Sequence, residues 1–337
     1  MAKFIVTGGL GFIGSNLIDY LINLGHYVIN IDKVSYSSNF YNVRSVKNSK
    51  NYKFYKFDIT QKKKFEKIIK LHKPKCIFNL AAETHVDRSI ESSSSFIKTN
   101  IEGVHSILET LIKHKKIKFI HISTDEVYGD IKKNLKANEK SAYNPRNPYA
   151  ATKAAADHLI RSYINTYNIN AIITNCCNNY GPRQNPEKLI PKLISNIFNS
   201  KKLTLYGKGR NFREWIYVLD HCKALYKIYQ SGKKNERYNI GSNLNFRNIE
   251  IAKKIILISK KKKIFNNKSK ISYISDRPGH DFRYALNSNK LRKKLGWSHK
   301  VSINNGLYRT IEWYKENKLF YKFVRNKNYS NRIGKKR

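Results

Sequence analysis

A chain of 337 residues is long enough for one large domain or two fused ones with an ample core. Its formal charge of +43 comes overwhelmingly from Lys spread along the chain beside Asn and Ile, as in the runs 62–64 and 260–263. It therefore reads as a solvated surface that attracts small anions, and no specific nucleic-acid binding is expected. No apolar run reaches the length of a membrane span, and the N-terminus enters a strand almost at once, which argues against an integral membrane protein and against a signal peptide.

Strand-like and helix-like stretches alternate through the first half. Residues 3–7 form an apolar strand that runs into Thr7-Gly8-Gly9-Leu10-Gly11-Phe12-Ile13-Gly14, and a helix follows over 13–24. Gly8, Gly11 and Gly14 remove side chains where a backbone must turn tightly, approach a pyrophosphate and pack helix on strand; the helix N-terminus offers amide donors to the anion. The second strand, 27–32, closes on Asp32, placed where an acid accepts from the ribose hydroxyls of NAD and repels the extra phosphate of NADP. Further strands are expected over 54–58, 76–80, 118–123 and 171–175, with helices over 62–71, after Thr99 and over 148–167. This alternation is the pattern of a doubly wound (Rossmann) parallel α/β sheet. The second half has shorter strands, more turns and a Lys-rich helix over 249–258, as in a smaller α/β substrate-binding domain. The expected division is an NAD-binding domain with the catalytic residues over 1–180, a nucleotide-sugar-binding domain over 181–320, and a basic, mobile tail over 321–337. Cys76, Cys176, Cys177 and Cys222 show no C-x-x-C pair and no spacing that suits a metal, so no metal site and a reduced, cytoplasmic setting are expected.

Two constellations carry chemistry. Tyr149 and Lys153 stand four apart at the head of the 148–167 helix and so project from one face. A phenol with its ordinary pKa of about 10 is a poor base near neutrality, so the ammonium and a cationic nicotinamide have to lower it by roughly 3 pH units, about 4 kcal/mol. The other constellation is Thr124-Asp125-Glu126, where the strand 118–123 runs out. Neighbouring residues on a strand point to opposite faces, so two adjacent carboxyls reach one cleft only at a strand end or turn, which is where open parallel sheets place their ligands. Seen alone, Asp125 reads equally as a cap and Glu126 as a solvated acid. In one cleft, adjacent carboxyls do not both ionise easily, and one is pushed toward its protonated form.

With V-T-G-G-L-G-F-I-G, N-L-A-A-E-T-H-V-D-R-S-I, H-I-S-T-D-E-V-Y-G-D, P-Y-A-A-T-K and R-P-G-H-D-F-R-Y in place, residues 1–315 resemble the extended short-chain dehydrogenase/reductase family of nucleotide-sugar enzymes, and among them the dTDP-glucose 4,6-dehydratases. The resemblance implies a tightly bound NAD regenerated in each turnover, and dehydration of dTDP-glucose to dTDP-4-dehydro-6-deoxy-glucose in deoxysugar biosynthesis. C4 would be oxidised transiently, water would leave across C5 and C6, and the hydride would return to C6. It assigns the O4 proton to Tyr149 with Lys153 in support, the C6 hydroxyl to Asp125 as acid, the C5 proton to Glu126 as base, and a hydrogen bond near O4 to Thr124. Against the cofactor it places Phe12, Ile13, Lys33, Val34, Ser35, Asp58, Ile59, Leu80, Ala81, Ala82, Thr84, Thr99 and Asn179. For the nucleotide-sugar it points to Thr84, Thr124, Asn178, Lys188, Leu189, Thr204, Leu205, Tyr206, Arg213, Asn248 and the run Asp276-Arg277-Pro278-Gly279-His280, with Arg213 and Arg277 as diphosphate partners. A homodimer through paired helices is also implied. The chain departs from the pattern in a shorter loop over 129–145 and in Asn79, where many relatives have His.

Three alternatives stay open on residues alone. A UDP-glucose 4,6-dehydratase runs the same chemistry on a base lacking one methyl group, a difference worth only about 1–3 kcal/mol to a pocket. A nucleotide-sugar 4-epimerase needs only Tyr149, Lys153 and NAD. A basic nucleic-acid-binding protein on a retired enzyme scaffold would account for the charge.

Overall fold

Short, continuously apolar runs bounded by turn residues suit strands buried on both faces of a parallel sheet. In the computed structural model, which describes residues 1–262, 270–276 and 278–324, the strands are β1 (Lys3–Thr7), β2 (Tyr27–Asp32), β3 (Tyr52–Lys56), β4 (Cys76–Asn79), β5 (Lys118–Thr124), β6 (Ala171–Cys176), β7 (Asn178–Tyr180), β8 (Leu203–Tyr206), β9 (Phe212–Tyr217), β10 (Arg237–Ile240), β11 (Asn245–Arg247) and β12 (Ile271–Ile274). Seven of them form one sheet in the order β10-β6-β5-β4-β1-β2-β3, with every pair parallel. Alternation sorts the side chains to its two faces. Phe4 and Val6 pack with Leu17, Ile18 and Leu225 on one side, and Ile5 packs with Phe65, Ile107 and Ile160 on the other. At the edge, β3 reads Tyr-Lys-Phe-Tyr-Lys and is only partly buried, its lysines discouraging further strand pairing.

The strand order reverses between β1 and β4, where open α/β sheets leave a crevice beyond the carboxyl ends of their strands. β1 ends at Thr7 and β4 at Asn79, but β5 outruns β4: its pairing with β4 stops at His121, while its pairing with β6 continues to Thr124. The end of β5 therefore flanks the crevice.

Beyond residue 181 the chain does two things. The helix Val218–Ser231 and β10 return to the large sheet, where β10 pairs with β6 and satisfies backbone groups that β6, buried along its whole length, would otherwise leave unpaired. The remaining strands build a smaller unit, with β11 antiparallel and β7 parallel to β9 and with β12 parallel to β8, around Tyr180, Leu193, Trp215, Ile251 and Leu307. The helix expected after Thr99 starts earlier, at Ser94, and Thr99 sits in a π-helical stretch, Ile97–Glu102, that leads into the regular helix Gly103–Leu111. The 129–145 loop is tied down: Ile131 N donates to Arg283 O (2.9 Å), Ala137 N to Ala285 O (3.0 Å), and the Arg283 guanidinium to the carbonyls of Lys132 and Leu135 (both 2.8 Å). The expected basic tail over 321–337 begins inside a 3-10 helix, Lys318–Phe323, and its part beyond residue 324 lies outside the described residues.

Candidate active site

The first turn after β1 has room for backbone only. Gly8 has φ +69°, and a Cβ there would lie 2.9 Å from the Ala81 backbone; a Cβ on Gly14 would lie 2.4 Å from Gly8 O. The helix Phe12–Asn23 has Gly11 as N-cap and no side-chain cap, so its first-turn amides stay available to an anion. Asp32 is buried at the end of β2, and the protein's own donors fix its carboxylate: Leu10 N (3.0 Å) on Oδ2, and Val34 N and Ser38 Oγ (both 2.7 Å) on Oδ1. Burial raises its pKa, opposed by these donors. Lys33 pairs with Glu83 at 3.2 Å and donates to Thr99 Oγ1 at 2.7 Å.

These elements wall a cavity of about 270 Å³ lined by Gly8, Gly11, Phe12, Ile13, Gly14, Asp32, Lys33, Ser35, Asp58, Ile59, Leu80, Ala81, Ala82, Thr84, Thr99, Asn179 and the side chains of the two constellations. Val34 is the one expected cofactor residue outside this wall. Its φ of +65° turns the chain at the strand end, and its amide serves Asp32. Ser38, Gln184 and Glu187 also line the cavity, as does Glu83 within N-L-A-A-E-T-H-V-D-R-S-I, and the sequence singled out none of them.

Thr124 converts the end of β5 into the 3-10 turn Asp125–Tyr128: its Oγ1 accepts from Glu126 N and donates to Asp125 Oδ1, both at 3.2 Å. Both carboxyls consequently reach one cavity. Asp125 is buried with Oδ2 lacking a hydrogen-bond partner. Burial pushes its pKa well up, the neighbouring Glu126 and Glu214 add to this, and Arg213 and Thr124 oppose it. Glu126 is half-buried, accepts from Asn147 Nδ2 at 3.3 Å and has the Tyr284 hydroxyl at the same distance. Asn147 also caps the helix Pro148–Tyr167, its side chain accepting from Ala150 N at 2.9 Å, so one residue positions Glu126 and starts the helix that carries Tyr149 and Lys153.

Lys153 Nζ donates to Ile122 O at 2.7 Å and lies 3.1 Å from His121 Nε2. Its burial brings the pKa down to about 8, opposed by Asp157. Tyr149 is buried, and burial, Glu126 and Cys176 push its pKa well above the ordinary phenol range, while a hydrogen bond to Thr124 pulls it down. The expected lowering included a cationic nicotinamide, and these causes are those of the chain's own groups. The Lys153 ammonium is engaged with a carbonyl and an imidazole.

A second cavity of about 190 Å³ adjoins the first, and Thr84, Glu126, Asn178, Glu187 and Lys188 line both. Leu189, Thr204, Leu205, Tyr206, Arg213, Asn248 and His280 line the second, together with Asp87, Lys192 and Trp215, which the sequence did not single out. Asp276, Pro278 and Gly279 do not line it. Asp276 lies 2.5 Å from His280 Nδ1 and so stands behind the imidazole. Gly279, with φ +62°, passes so near Arg146 O that a Cβ would come within 2.7 Å. Arg277 lies outside the described residues. Buried Arg213 donates to Phe212 O (2.7 Å) and Asp281 O (3.0 Å) and lies over the Tyr284 ring.

The family model described as GDP-mannose 4,6 dehydratase matches residues 5–310. The dTDP-glucose 4,6-dehydratase of Haemophilus influenzae is 43% identical over 331 residues, which span 93% of this chain and 98% of the relative. The chain belongs to the GDP-mannose 4,6 dehydratase family, alongside the dTDP-glucose 4,6-dehydratases. Members of known structure share the whole fold. The dTDP-glucose 4,6-dehydratase of Bacillus anthracis str. Ames, crystallised in complex with NAD, superposes with a TM-score of 0.89 at 38% identity, covering 96% of this chain and 100% of that one. The enzyme of the same name from Streptomyces venezuelae, also with NAD bound, gives 0.89 at 37% identity, with 94% and 98% covered. Among the described residues of this family member, no helix is long and apolar enough to cross a membrane, and no cluster of His, Cys, Asp and Glu is arranged to hold a metal.

Proposed function

We propose that this chain is an NAD-dependent dTDP-glucose 4,6-dehydratase, producing dTDP-4-dehydro-6-deoxy-glucose for deoxysugar biosynthesis. The observation that carries the reading is the position of Glu126 on the wall shared by the two cavities, beside a buried Asp125 and in the same cavity as Tyr149 and Lys153. The relatives named above support the choice of sugar nucleotide.

The chain's first cavity fits NAD, because Gly8 and Gly14 stand where any side chain would collide with backbone and the uncapped helix start faces the anion. Gly8, Gly11, Gly14, Asp32 and Asp58 would hold it. When bound, NAD supplies an acceptor for the hydride at C4 and gives it back at C6.

The remaining steps belong to the side chains. Tyr149 takes the O4 proton, with Thr124 and Lys153 lining the same cavity. The carbonyl then formed at C4 acidifies the C5 proton, and Glu126 removes it. Asp125, kept protonated by burial and by the charge of Glu126, donates its proton to the C6 hydroxyl, and water leaves. Glu126 then serves C5 again as the acid that reprotonates it. Arg213 and His280 in the second cavity are suited to the diphosphate. We further propose a homodimer formed through paired helices, and a cytoplasmic location in keeping with four buried cysteines free of disulfides.

Incubating the purified protein separately with dTDP-glucose and UDP-glucose and following the 4-keto product tests the reading. Turnover of dTDP-glucose in preference to UDP-glucose is expected; a 4-keto 6-deoxy product from neither would refute it.

A further inference from the structure

Behind Glu126, on the side away from the cavities, lies a row of groups that the proposed mechanism leaves unused. The Tyr284 hydroxyl lies 3.3 Å from Glu126 Oε2 and 2.5 Å from Asp281 Oδ2. Asp281 Oδ1 lies 3.6 Å from the Arg146 guanidinium, which also lies 3.7 Å from Asp130. Tyr284 is 1% exposed and Asp281 fully buried, whereas the side chain of Arg146 is 48% exposed and that of Asp130 34%, so the row runs from half-buried Glu126 through a buried pair to the surface. The Arg213 guanidinium, 4.3 Å above the Tyr284 ring, fixes the ring in place.

We infer that Tyr284 and Asp281 form a proton relay that carries the proton Glu126 takes from C5 to solvent at Arg146 and Asp130. The inference rests on the reading of Glu126 as the base at C5. Both are positioning residues, since they act through Glu126. One phenol between two carboxyls can donate to only one of them at a time. With Glu126 ionised, Tyr284 donates to Asp281. Once Glu126 is protonated, its O–H donates to the Tyr284 oxygen while the phenolic proton passes to Asp281. One O–H bond breaks at Glu126, one forms at Asp281, and Tyr284 ends as a neutral phenol. Asp281 then loses the proton to water reaching the Arg146–Asp130 pair, and the same row run in reverse returns a solvent proton to Glu126, which delivers it to C5. The cavity side of Glu126 offers no comparable exit during turnover, because substrate and cofactor fill the two cavities that Glu126 lines. Burial raises the Asp281 pKa; Tyr284 and Arg146 oppose it, and Glu126 and Asp130 add to it, which suits a carboxyl that accepts and releases a proton.

The relay predicts where the hydrogen at C5 of the product comes from. The NAD-loaded enzyme is given dTDP-glucose with protium at C5 in D2O, and the product is read at C5 by NMR and mass. The parent should place deuterium there. Tyr284→Phe cuts the row while keeping the ring, so its product should retain the substrate's protium and lose the larger part of the deuterium. Asp281→Asn keeps a hydrogen-bond partner for Tyr284 but cannot take the proton, and the same loss is expected. It decides the matter by itself if Tyr284→Phe is unfolded or inactive. Parent-like deuterium in an active variant overturns the relay, and so does retention of protium by the parent. If the parent forms no 4-keto 6-deoxy product at all, the dehydratase reading fails, and the relay with it.

Discussion

The Lys153 ammonium stands 3.1 Å from His121 Nε2, and both side chains are buried. Burial, with Lys153 second, drives the His121 pKa well down, so the imidazole is neutral and available as an acceptor. One helical turn beyond Lys153, the buried Asp157 lies 3.7 Å from His121 and accepts from Ser123 Oγ (2.8 Å) and the Tyr143 hydroxyl (2.6 Å). Asp157 favours the charged form of Lys153 against its desolvation.

Removing that carboxylate should therefore make Lys153 a weaker base. Its pKa is already down at about 8, and in Asp157→Asn it should fall further. The ammonium is then lost at lower pH, and the alkaline limb of the kcat/KM profile should move toward neutrality. A profile measured from pH 6 to 10 that keeps the parent's alkaline limb would remove Asp157 from this role.

The glycine turn gives a prediction about the cofactor. A methyl on Gly14 would lie 2.4 Å from Gly8 O, so Gly14→Ala should distort the turn and empty the first cavity of nucleotide. The parent protein should carry NAD and not NADP, because buried Asp32 would face the extra phosphate. Nucleotide released from both proteins and identified by mass checks this; NADP in the parent, or parent-like NAD content in Gly14→Ala, would contradict it.

The sheet and the catalytic constellations were legible because their signals are local. Period and turn residues mark the strands of the first half, and Thr124-Asp125-Glu126 and Tyr149-x-x-x-Lys153 each lie within five residues. What could not be read depends on long-range pairing. β10 joins the large sheet from residues 237–240, although nothing in Arg-Tyr-Asn-Ile distinguishes it from the short strands of the smaller unit. Tyr284 meets Glu126 across 158 positions, and although Asp281 and Tyr284 stand in R-P-G-H-D-F-R-Y, nothing in that stretch announces the contact. At Val34 the difference is one of local environment: its φ is left-handed and the residue does not line the cavity.

Tyr149 bears on the first chemical step. It is the group assigned to the O4 proton, and it lines the first cavity. Tyr149→Phe should leave bound NAD oxidised on addition of dTDP-glucose, with no rise in NADH absorbance. A variant that still reduces its NAD at the parent rate would take Tyr149 out of the oxidation.

The central claim is that Asp125 and Glu126 perform the elimination and not the oxidation. Asp125→Asn and Glu126→Gln leave Tyr149 and Lys153 in place, so the most direct measurement is a single turnover of each variant with dTDP-glucose, following NADH absorbance and product together. Both variants should oxidise C4, holding reduced cofactor or a 4-keto hexose. Both should release 6-deoxy product about 10²–10⁴-fold more slowly than the parent, the usual cost of a missing acid or base. Turnover of both variants at near the parent rate would contradict the account and leave an epimerase, which needs no such pair, as the better reading.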